Sequence, residues 1–211
     1  MRFYIADCHF YHEALNTKMD KRGFASAEQM NEYMMQRWNE KVRNCDETVI
    51  LGDFSFGDAM QTNSLLKQLN GKKYLIEGNH DRYLKYRRFD KNLFEWIEPY
   101  KEIHDNGRKV ILSHYPIMCY NGQYRLNENG EPKTYMLYGH VHDTRDELLI
   151  DRFIRITKQT SFLDFEGKEK TIPCCMINCF CVFSDYAPLT LYEWIENDQM
   201  RRKYLSEEFP A

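Results

Sequence analysis

Five short polar motifs, each placed after a run of apolar residues, constrain the fold of this chain more than any other feature. They are Asp7-Cys8-His9, Gly52-Asp53, Gly78-Asn79-His80-Asp81, Ser113-His114 and Gly139-His140-Val141-His142. Such runs are typical of buried strands in an α/β protein, where the ends of the strands converge at one edge of a sheet. Carboxylate, carboxamide and imidazole groups are ligands for divalent transition metals. The pattern therefore predicts a hydrolytic site with two metal ions.

The segments between the motifs predict alternating strands and helices. Residues 58–69 predict a helix. A second helix is predicted over residues 30–42, where apolar side chains recur at helical spacing behind Ser26 and Gln29, a pair with the spacing of a capping box. Asp105-Asn106-Gly107 predicts the turn of a hairpin. Short strands are predicted at residues 2–6, 48–51, 73–77, 98–103, 109–112 and 134–138.

The length of the chain favours one domain. With 211 residues it is long enough to bury one substantial core, so we expect a single domain over residues 1–211. Residues 143–171 are highly charged and predict a partly helical excursion from that domain, serving either as a lid or as an interface. The apolar residues 172–183 are predicted to resume the sheet.

Charge and cysteine content limit the classes of partner and compartment. A net charge of −3 and a pI near 6.2 give no global electrostatic case for nucleic-acid binding, so a long nucleic acid is not favoured. The sequence has no apolar run long enough to span a membrane and no evident secretory signal, so no membrane partner is expected. Seven scattered cysteines suit a reducing cytoplasm rather than a disulfide framework.

Four of the cysteines lie close together, which invites interpretation as a zinc site. Cys174, Cys175, Cys179 and Cys181 do not form two separated Cys-x-x-Cys pairs, however. Their neighbours are apolar, so we interpret them as small buried side chains on or beside a strand.

The five motifs, in this order, resemble those of the calcineurin-like metallophosphoesterase superfamily. They span residues 7–142. The resemblance implies two mixed β-sheets packed as a sandwich, flanked by helices, with the metals at one end of the strands. Four further segments resemble the small bacterial and phage members: Phe10 with His12, Arg22-Gly23-Phe24, Trp38-Asn39 and residues 186–191.

The resemblance also implies a role for each motif residue. Three side chains would hold the first metal: Asp7, His9 and His142. Three would hold the second: Asn79, His114 and His140. Asp53 would bridge the two metals, and His80 would be the catalytic acid that protonates the leaving oxygen. Two ions about 3.5–4 Å apart can hold a bridging hydroxide as nucleophile and clamp two phosphate oxygens. Oxygen and nitrogen ligands favour manganese or iron, with zinc as a competitor.

Residues around the motifs are candidates for contacts with the substrate or with the metal ligands. His12 either contacts the substrate or supports a ligand. Asp81 either orients a neighbouring ligand or His80 through a hydrogen bond, or caps the next helix. Tyr115 and Asn121 lie between two ligand motifs, in a loop that is predicted to shape substrate choice or simply to pack.

A basic segment with interspersed tyrosines follows the third motif. Arg82 opens it, and Lys85, Arg87 and Arg88 complete it. They could meet phosphate groups, because basic and aromatic residues together suit single-stranded nucleic acid or nucleotides. We favour a solvated helix face, because no other basic cluster supports a long binding track.

These features together predict a metal-dependent phosphoesterase, with a diester favoured over a monoester as substrate. The alternatives within enzymes are a nuclease and a nucleotide phosphohydrolase acting on a diadenosine polyphosphate or a cyclic nucleotide. A different class is a non-catalytic, metal-binding interaction scaffold, because fold alone does not determine function. Scaffolds tend to lose ligands or the acid histidine, whereas this chain retains both. The oligomeric state is not predictable from the sequence.

Overall fold

The computed structural model describes residues 1–171 and 174–208. Within them lie four α-helices: α1 (Ala27–Lys41), α2 (Ala59–Gln68), α3 (Arg145–Gln159) and α4 (Leu191–Glu208). The first strands are β1 (Arg2–Ile5), β2 (Glu47–Ile50), β3 (Lys72–Ile76), β4 (Ile97–Glu98) and β5 (Tyr100–Asp105). The remaining strands are β6 (Arg108–Ser113), β7 (Thr134–Tyr138), β8 (Ser161–Leu163), β9 (Glu169–Thr171) and β10 (Met176–Asn178). Among the described residues, no helix is both long and apolar enough to cross a membrane.

Two four-stranded sheets form the centre of the molecule. The first has the order β1-β2-β3-β4, with parallel pairs, and an antiparallel bridge from Tyr4 to Leu189 extends it. The second has the order β10-β7-β6-β5, in which only β5 and β6 pair antiparallel. Asn106 and Gly107 have φ of 48° and 78°, which suits the tight turn between β5 and β6. The predicted hairpin is therefore confirmed, but Glu98 belongs to β4 in the other sheet.

Alternation along the strands explains the layers. In β1, Phe3 and Ile5 pack in the core beneath α1 and α2, whereas Tyr4 faces the second sheet. The outer face of the second sheet packs on α3 through residues such as Met136 and Ile154. Because successive strand side chains point to opposite faces, each strand serves two cores. The result is a sandwich of two sheets between helices, as predicted.

Local hydrogen bonds set where the helices begin. The Ser26 hydroxyl accepts from Gln29 N at the start of α1, but the Gln29 side chain accepts from Ala25 N, so only half of the predicted capping box forms. At α2, Asp58 and Gln61 form a complete capping box that was not predicted.

The charged excursion and the return to the sheet differ in detail from the prediction. Residues 143–171 contain α3 and the two-stranded β8–β9 hairpin. Of the predicted strand 172–183, residues 172 and 173 lie outside the described residues, and only Met176–Asn178 pairs in the sheet. Cys181–Ser184 forms a 3₁₀ turn instead. All seven cysteines are free; Cys174, Cys179 and Cys181 are buried as expected, whereas Cys175 is only partly buried.

Candidate metal centre

The two sheets meet at the carboxyl end of β1, where the ligand motifs collect. Ala6 N donates to Cys179 O, and Ala6 O accepts from Cys181 N, which joins β1 to the segment after β10. His9 N donates to Asp53 O at 2.9 Å, which joins the same loop to the end of β2. Motifs from both sheets therefore lie side by side, although they are far apart in the sequence.

Asp7, His9 and His142 form one cluster of candidate ligands, which we call the first metal cluster. One candidate ligand atom from each lies within 4.8 Å of the others, and all three residues are buried. The His9 Nε2 and His142 Nε2 atoms are 3.1 Å apart, and His142 Nε2 is 3.7 Å from Asp7 Oδ1. Two imidazole nitrogens and a carboxylate oxygen aimed at one point form a donor set that fits a divalent cation.

A second metal cluster lies beside the first and consists of Asp53, Asn79, His114 and His140. Candidate ligand atoms of the aspartate and the two histidines lie within 4.8 Å of one another. His114 Nε2 and His140 Nδ1 are each 3.0 Å from Asn79 Oδ1. Asp53 and His114 are buried, whereas Asn79 and His140 are exposed. This donor set also fits a divalent cation, but its outer side faces solvent.

Asp53 lies between the two clusters. Its Oδ2 atom is 3.7 Å from His9 Nε2 in the first cluster and 3.5 Å from His114 Nε2 in the second. Its Oδ1 atom accepts a 2.7 Å hydrogen bond from His80 N. A carboxylate in this position can contact two cations at once. Asp53 therefore lies within reach of both clusters, and its role as a bridging ligand stays a prediction.

Five of the seven candidate ligands have a left-handed backbone. The φ angles are 54° at Asp7, 50° at His9, 52° at Asp53, 72° at His140 and 49° at His142. Non-glycine residues seldom adopt this conformation, and where they do, strain tends to mark functional sites. The loops thus hold these side chains in directions that regular strands would not give.

Three motif glycines are required because the ligands occupy the space of a Cβ atom. A Cβ at Gly52 would lie 2.4 Å from His114 Nδ1, and one at Gly78 would lie 2.3 Å from Asp53 Oδ1. At Gly139 it would lie 2.5 Å from Asp7 Oδ2. Each glycine therefore allows close approach of the backbone to a ligand.

The electrostatics of the centre reflect burial and close charges. Burial raises the pKa of Asp7 to about 6 and holds the pKa of His9 well below its ordinary value. Burial also lowers the pKa of His114, but the hydrogen bond to Asp53 and the nearby carboxylates outweigh it and raise the pKa to about 9. His9 is therefore neutral, the form of imidazole that binds metals.

Asp81 holds the ligand loops together and does not cap a helix. Its buried carboxylate accepts hydrogen bonds from Asp53 N at 3.0 Å, Phe54 N at 2.8 Å and Gly78 N at 2.8 Å. It makes no side-chain cap to the following 3₁₀ turn. The helix-cap interpretation is therefore wrong, and the carboxylate instead fixes the two glycine loops around Asp53.

Sequence reasoning missed Asp20, which lies directly behind a candidate ligand. Its Oδ1 atom is 2.7 Å from His142 Nδ1, and its Oδ2 atom accepts from the guanidinium of Arg22. The sequence resemblance includes Arg22 only as part of the segment Arg22-Gly23-Phe24 and implies no role for it. Asp20 is 122 residues from His142, and no local spacing signals such a contact.

Three aromatic rings border the site. His12 stacks on Phe56 with centroids 3.8 Å apart, and Phe56 lies 5.0 Å from His80. On the other side, Tyr115 lies 4.5 Å from the His140 ring. Phe56 and Tyr115 are 38% and 49% exposed, so both rings are accessible beside the metal clusters.

Two other candidates lie in different surroundings. The Asn121 amide donates to the Glu102 carboxylate on β5 in an exposed contact. The Arg82 side chain is exposed in the 3₁₀ turn just after His80. The structure therefore brings His12 and Tyr115 to the ligands and leaves Asn121 on the hairpin.

Paired histidine–carboxylate clusters at the strand ends of a two-sheet sandwich form a donor arrangement that could hold two divalent cations. The family model for calcineurin-like phosphoesterase matches residues 3–197. The chain therefore belongs to this family, as the sequence resemblance implied.

Two curated relatives are similar over part of their length. An uncharacterized protein of Methanocaldococcus jannaschii is 32% identical over 142 residues, which cover 66% of this chain and 68% of the relative. The gene 66 protein of Mycobacterium phage D29 is 32% identical over 131 residues, covering 52% of this chain and 64% of that protein. A solved structure, a protein of unknown function from Aquifex aeolicus, has a TM-score of 0.63 at 24% identity, covering 93% of this chain and 98% of that one. This last likeness supports the fold alone.

Proposed function

We propose that this protein, as a single domain, is a two-metal phosphodiesterase. The observation that carries the proposal is the convergence of two clusters of nitrogen and oxygen donors on the shared carboxylate of Asp53. When bound, two divalent cations would supply a clamp for phosphate oxygens and an activated water. Manganese or iron is the proposed metal, with zinc as a competitor.

The ligand roles follow from the two clusters. Three residues would hold the first cation: Asp7, His9 and His142. Three would hold the second: Asn79, His114 and His140. Asp53 would contact both. The two carboxylates leave a net positive charge when both cations are present, which suits an anionic substrate.

His80 is the proposed catalytic acid. Its backbone N–H is tied to Asp53, which fixes the residue next to the clusters. Its ring lies 5.7 Å from the His9 ring, and its Nδ1 atom has no hydrogen-bond partner in the described part of the chain. A histidine there can donate a proton to the leaving oxygen, which typically contributes about 10²–10⁴ in rate.

The surroundings support a diester that carries a planar group. The exposed rings of Phe56 and Tyr115 flank the clusters from opposite sides, and His12 supports Phe56 by stacking. Aromatic side chains beside a phosphate site can stack on any nucleobase, because every base has a π-face. A nucleotide ester therefore fits the site better than a small alkyl phosphate.

A second candidate function, cleavage of nucleotides with further phosphates or of short oligonucleotides, is favoured by the basic segment after His80. Lys85, Arg87 and Arg88 line a surface cavity of about 350 Å³ together with Asp58 and Met60 at the start of α2. In the part of the chain that the structure describes, no carboxylate pairs with these cations or with Arg82. Unpaired cations two to eight residues beyond the acid histidine can meet phosphates next to the one that is cleaved.

Hydrolysis of model esters tests the leading proposal. Metal-stripped protein is assayed with bis-p-nitrophenyl phosphate and p-nitrophenyl phosphate, with manganese, iron, zinc or nothing added, beside an Asp53→Asn variant. We expect metal-restored cleavage, greater for the diester, that the variant lacks. Folded, metal-loaded protein without any esterase activity would instead favour the interaction scaffold.

Salt and charge variants separate the second candidate from the first. Cleavage of a short single-stranded oligonucleotide should weaken steeply with salt and on changing Arg87 and Arg88 to Gln, while cleavage of bis-p-nitrophenyl phosphate stays constant. Equal sensitivity of both substrates would leave only the small-diester function. We propose a cytoplasmic location, because seven scattered cysteines suit a reducing compartment.

A further inference from the structure

The carboxylate of Asp20 lies against the back of a candidate metal ligand. Asp20 Oδ1 is 2.7 Å from His142 Nδ1, and the two side chains are 3% and 4% exposed. The opposite nitrogen, His142 Nε2, faces Asp7 and His9. An imidazole that binds a cation through Nε2 carries its proton on Nδ1, so an acceptor at that point fixes the tautomer and the direction of the ring.

Arg22 in turn holds Asp20 in place. Its Nε and Nη2 atoms are each 2.9 Å from Asp20 Oδ2, and its side chain has no exposed surface. A planar guanidinium that makes two contacts to one carboxylate gives a defined geometry. The pair is buried, so removing either charge leaves the other unpaired.

The same guanidinium also reaches the main chain of the first metal cluster. Nη2 donates to Asp7 O at 2.9 Å, and Nη1 donates to Cys8 O at 2.7 Å. The rings of Phe180 and Tyr186 lie 5.7 Å and 5.8 Å from the guanidinium carbon. Arg22 therefore links the backbone that carries Asp7 to the carboxylate that orients His142.

The ring of His142 is restrained on a second side. Phe180 lies 4.7 Å from it at an interplanar angle of 33°. Phe180 thus contacts both the imidazole and the guanidinium. His142, Asp20 and Arg22 are therefore buried together beside Phe180. Among the described residues, His140 has no such carboxylate and guanidinium behind its ring.

We infer that Asp20 and Arg22 are positioning residues for the first metal cluster, which set the orientation of His142 and the separation of His142 from Asp7. The inference rests on the proposed function only in that the cluster binds a cation. It adds a role for residues 20–22, which lie outside the ligand motifs.

Metal binding without substrate tests this inference. Metal-stripped wild type, Asp20→Ala, Asp20→Asn and Arg22→Lys are titrated with Mn²⁺ by calorimetry, and the bound Mn²⁺ is examined by electron paramagnetic resonance. We expect Asp20→Ala to weaken one of two binding steps by about 10–100-fold and to change the spectrum of that ion. Asp20→Asn keeps an acceptor oxygen and should lose less.

The matched control is Asp46→Ala. Asp46 is also a buried carboxylate with two hydrogen bonds, from the N-terminus and from Arg43 N, but it lies just before β2, at the opposite end of the sheet. It should lower the melting temperature while both Mn²⁺ affinities stay at the wild-type values. Circular dichroism checks that each variant is folded.

The outcomes separate this inference from the proposed function. Wild-type affinity in Asp20→Ala and Asp20→Asn, or an equal loss in Asp46→Ala, would overturn the positioning role even if the enzyme hydrolyses esters. The expected loss in a protein without esterase activity would support the role and reject the function. If Asp20→Ala does not fold, Asp20→Asn and Arg22→Lys decide, since both keep the charge or the shape of the pair.

Discussion

The first metal cluster is buried and one of its ligands contacts a carboxylate from behind, whereas the second cluster is partly exposed to solvent. Asp7, His9 and His142 are all buried, and the last is backed by a carboxylate. In the second cluster Asn79 and His140 are exposed. There His114 Nδ1 lies 2.8 Å from the carbonyl oxygen of Leu51, a neutral acceptor, and His140 Nδ1 itself faces Asn79.

Two similar donor sets can therefore have different functions. A ligand whose second nitrogen meets a carboxylate is more basic and better oriented than one that meets a carbonyl. Exposed ligands also leave room for an incoming phosphate. We therefore expect the first cluster to retain its cation and the second to meet the substrate.

The largest effect is expected at His80, whose ring neighbours His9 on the side of the first cluster. His80→Gln should lower kcat by about 10²–10⁴ for a diester with an alkoxide leaving group, and much less for a nitrophenyl diester, because only the poor leaving group needs a proton. Steady-state rates on both esters measure this. Equal losses would show that the leaving group does not depart on this side. His104→Gln, an exposed histidine on β5, is the control.

Alanine at two glycines should disable one cluster each. Gly139→Ala places a Cβ 2.5 Å from Asp7 Oδ2, and Gly52→Ala places one 2.4 Å from His114 Nδ1. Each variant should bind one metal instead of two and lose about 10²-fold in kcat, since a ligand shift of about 1 Å has that cost. Metal analysis of purified protein and kinetic assays check both.

A control separates the clash from the backbone effect. Gly107 has φ of 78°, close to the 86° of Gly52, but no atom lies within 4 Å of the position of its Cβ. Gly107→Ala should therefore strain the turn, with the metal content and activity unchanged. If Gly52→Ala also left the metal content and activity unchanged, metal binding at the second cluster would not depend on the position of His114.

Metal release should occur in two steps that differ by about 10-fold or more in rate, because orientation of ligands from behind changes affinity by about 10–100-fold. A chelator added to metal-loaded protein, followed by metal analysis over time, measures this. His140→Ala should abolish the fast step and His142→Ala the slow one. A single step, or the reverse assignment, would break the contrast between the clusters.

The smallest effects are expected at the aromatic rings. Phe56→Ala and Tyr115→Ala should each raise KM for a nucleotide diester about fivefold, roughly 1 kcal/mol, through loss of stacking, and leave kcat nearly constant. Tyr192→Ala removes a ring that is 62% exposed on α4 and serves as the control. Unchanged KM in both site variants would remove the rings from substrate binding.

The sequence predicts the parts of this molecule that local patterns encode. Strands such as β2 and β7 follow from short apolar runs, and the β5–β6 turn follows from Asn106-Gly107. The candidate ligands lie in motifs that follow such runs, and their individual roles were implied by the family resemblance. The 3₁₀ turn at Cys181–Ser184 was not predicted, because an apolar run does not distinguish a strand from a tight turn buried beside one.

Contacts between distant segments could not be predicted from the sequence. Asp20 meets His142 and Arg22 meets Asp7 only because the loop after β1 folds back over the strand ends. Phe56 lay next to a ligand motif without a signal of its own, since one phenylalanine in a loop is usually core. The sequence also gives no signal for the left-handed backbone at the ligands, because most aspartate and histidine residues adopt other conformations.

The left-handed backbone at the ligands has a consequence for engineering. At His140, which is exposed and has φ of 72°, glycine would relieve the backbone strain and remove a metal ligand at the same time. Such a variant should melt at a higher temperature than the wild type in a chelator and at a lower one with metal present. Thermostability screens run without metal would therefore select against the catalytic centre, and screens run with metal would preserve it.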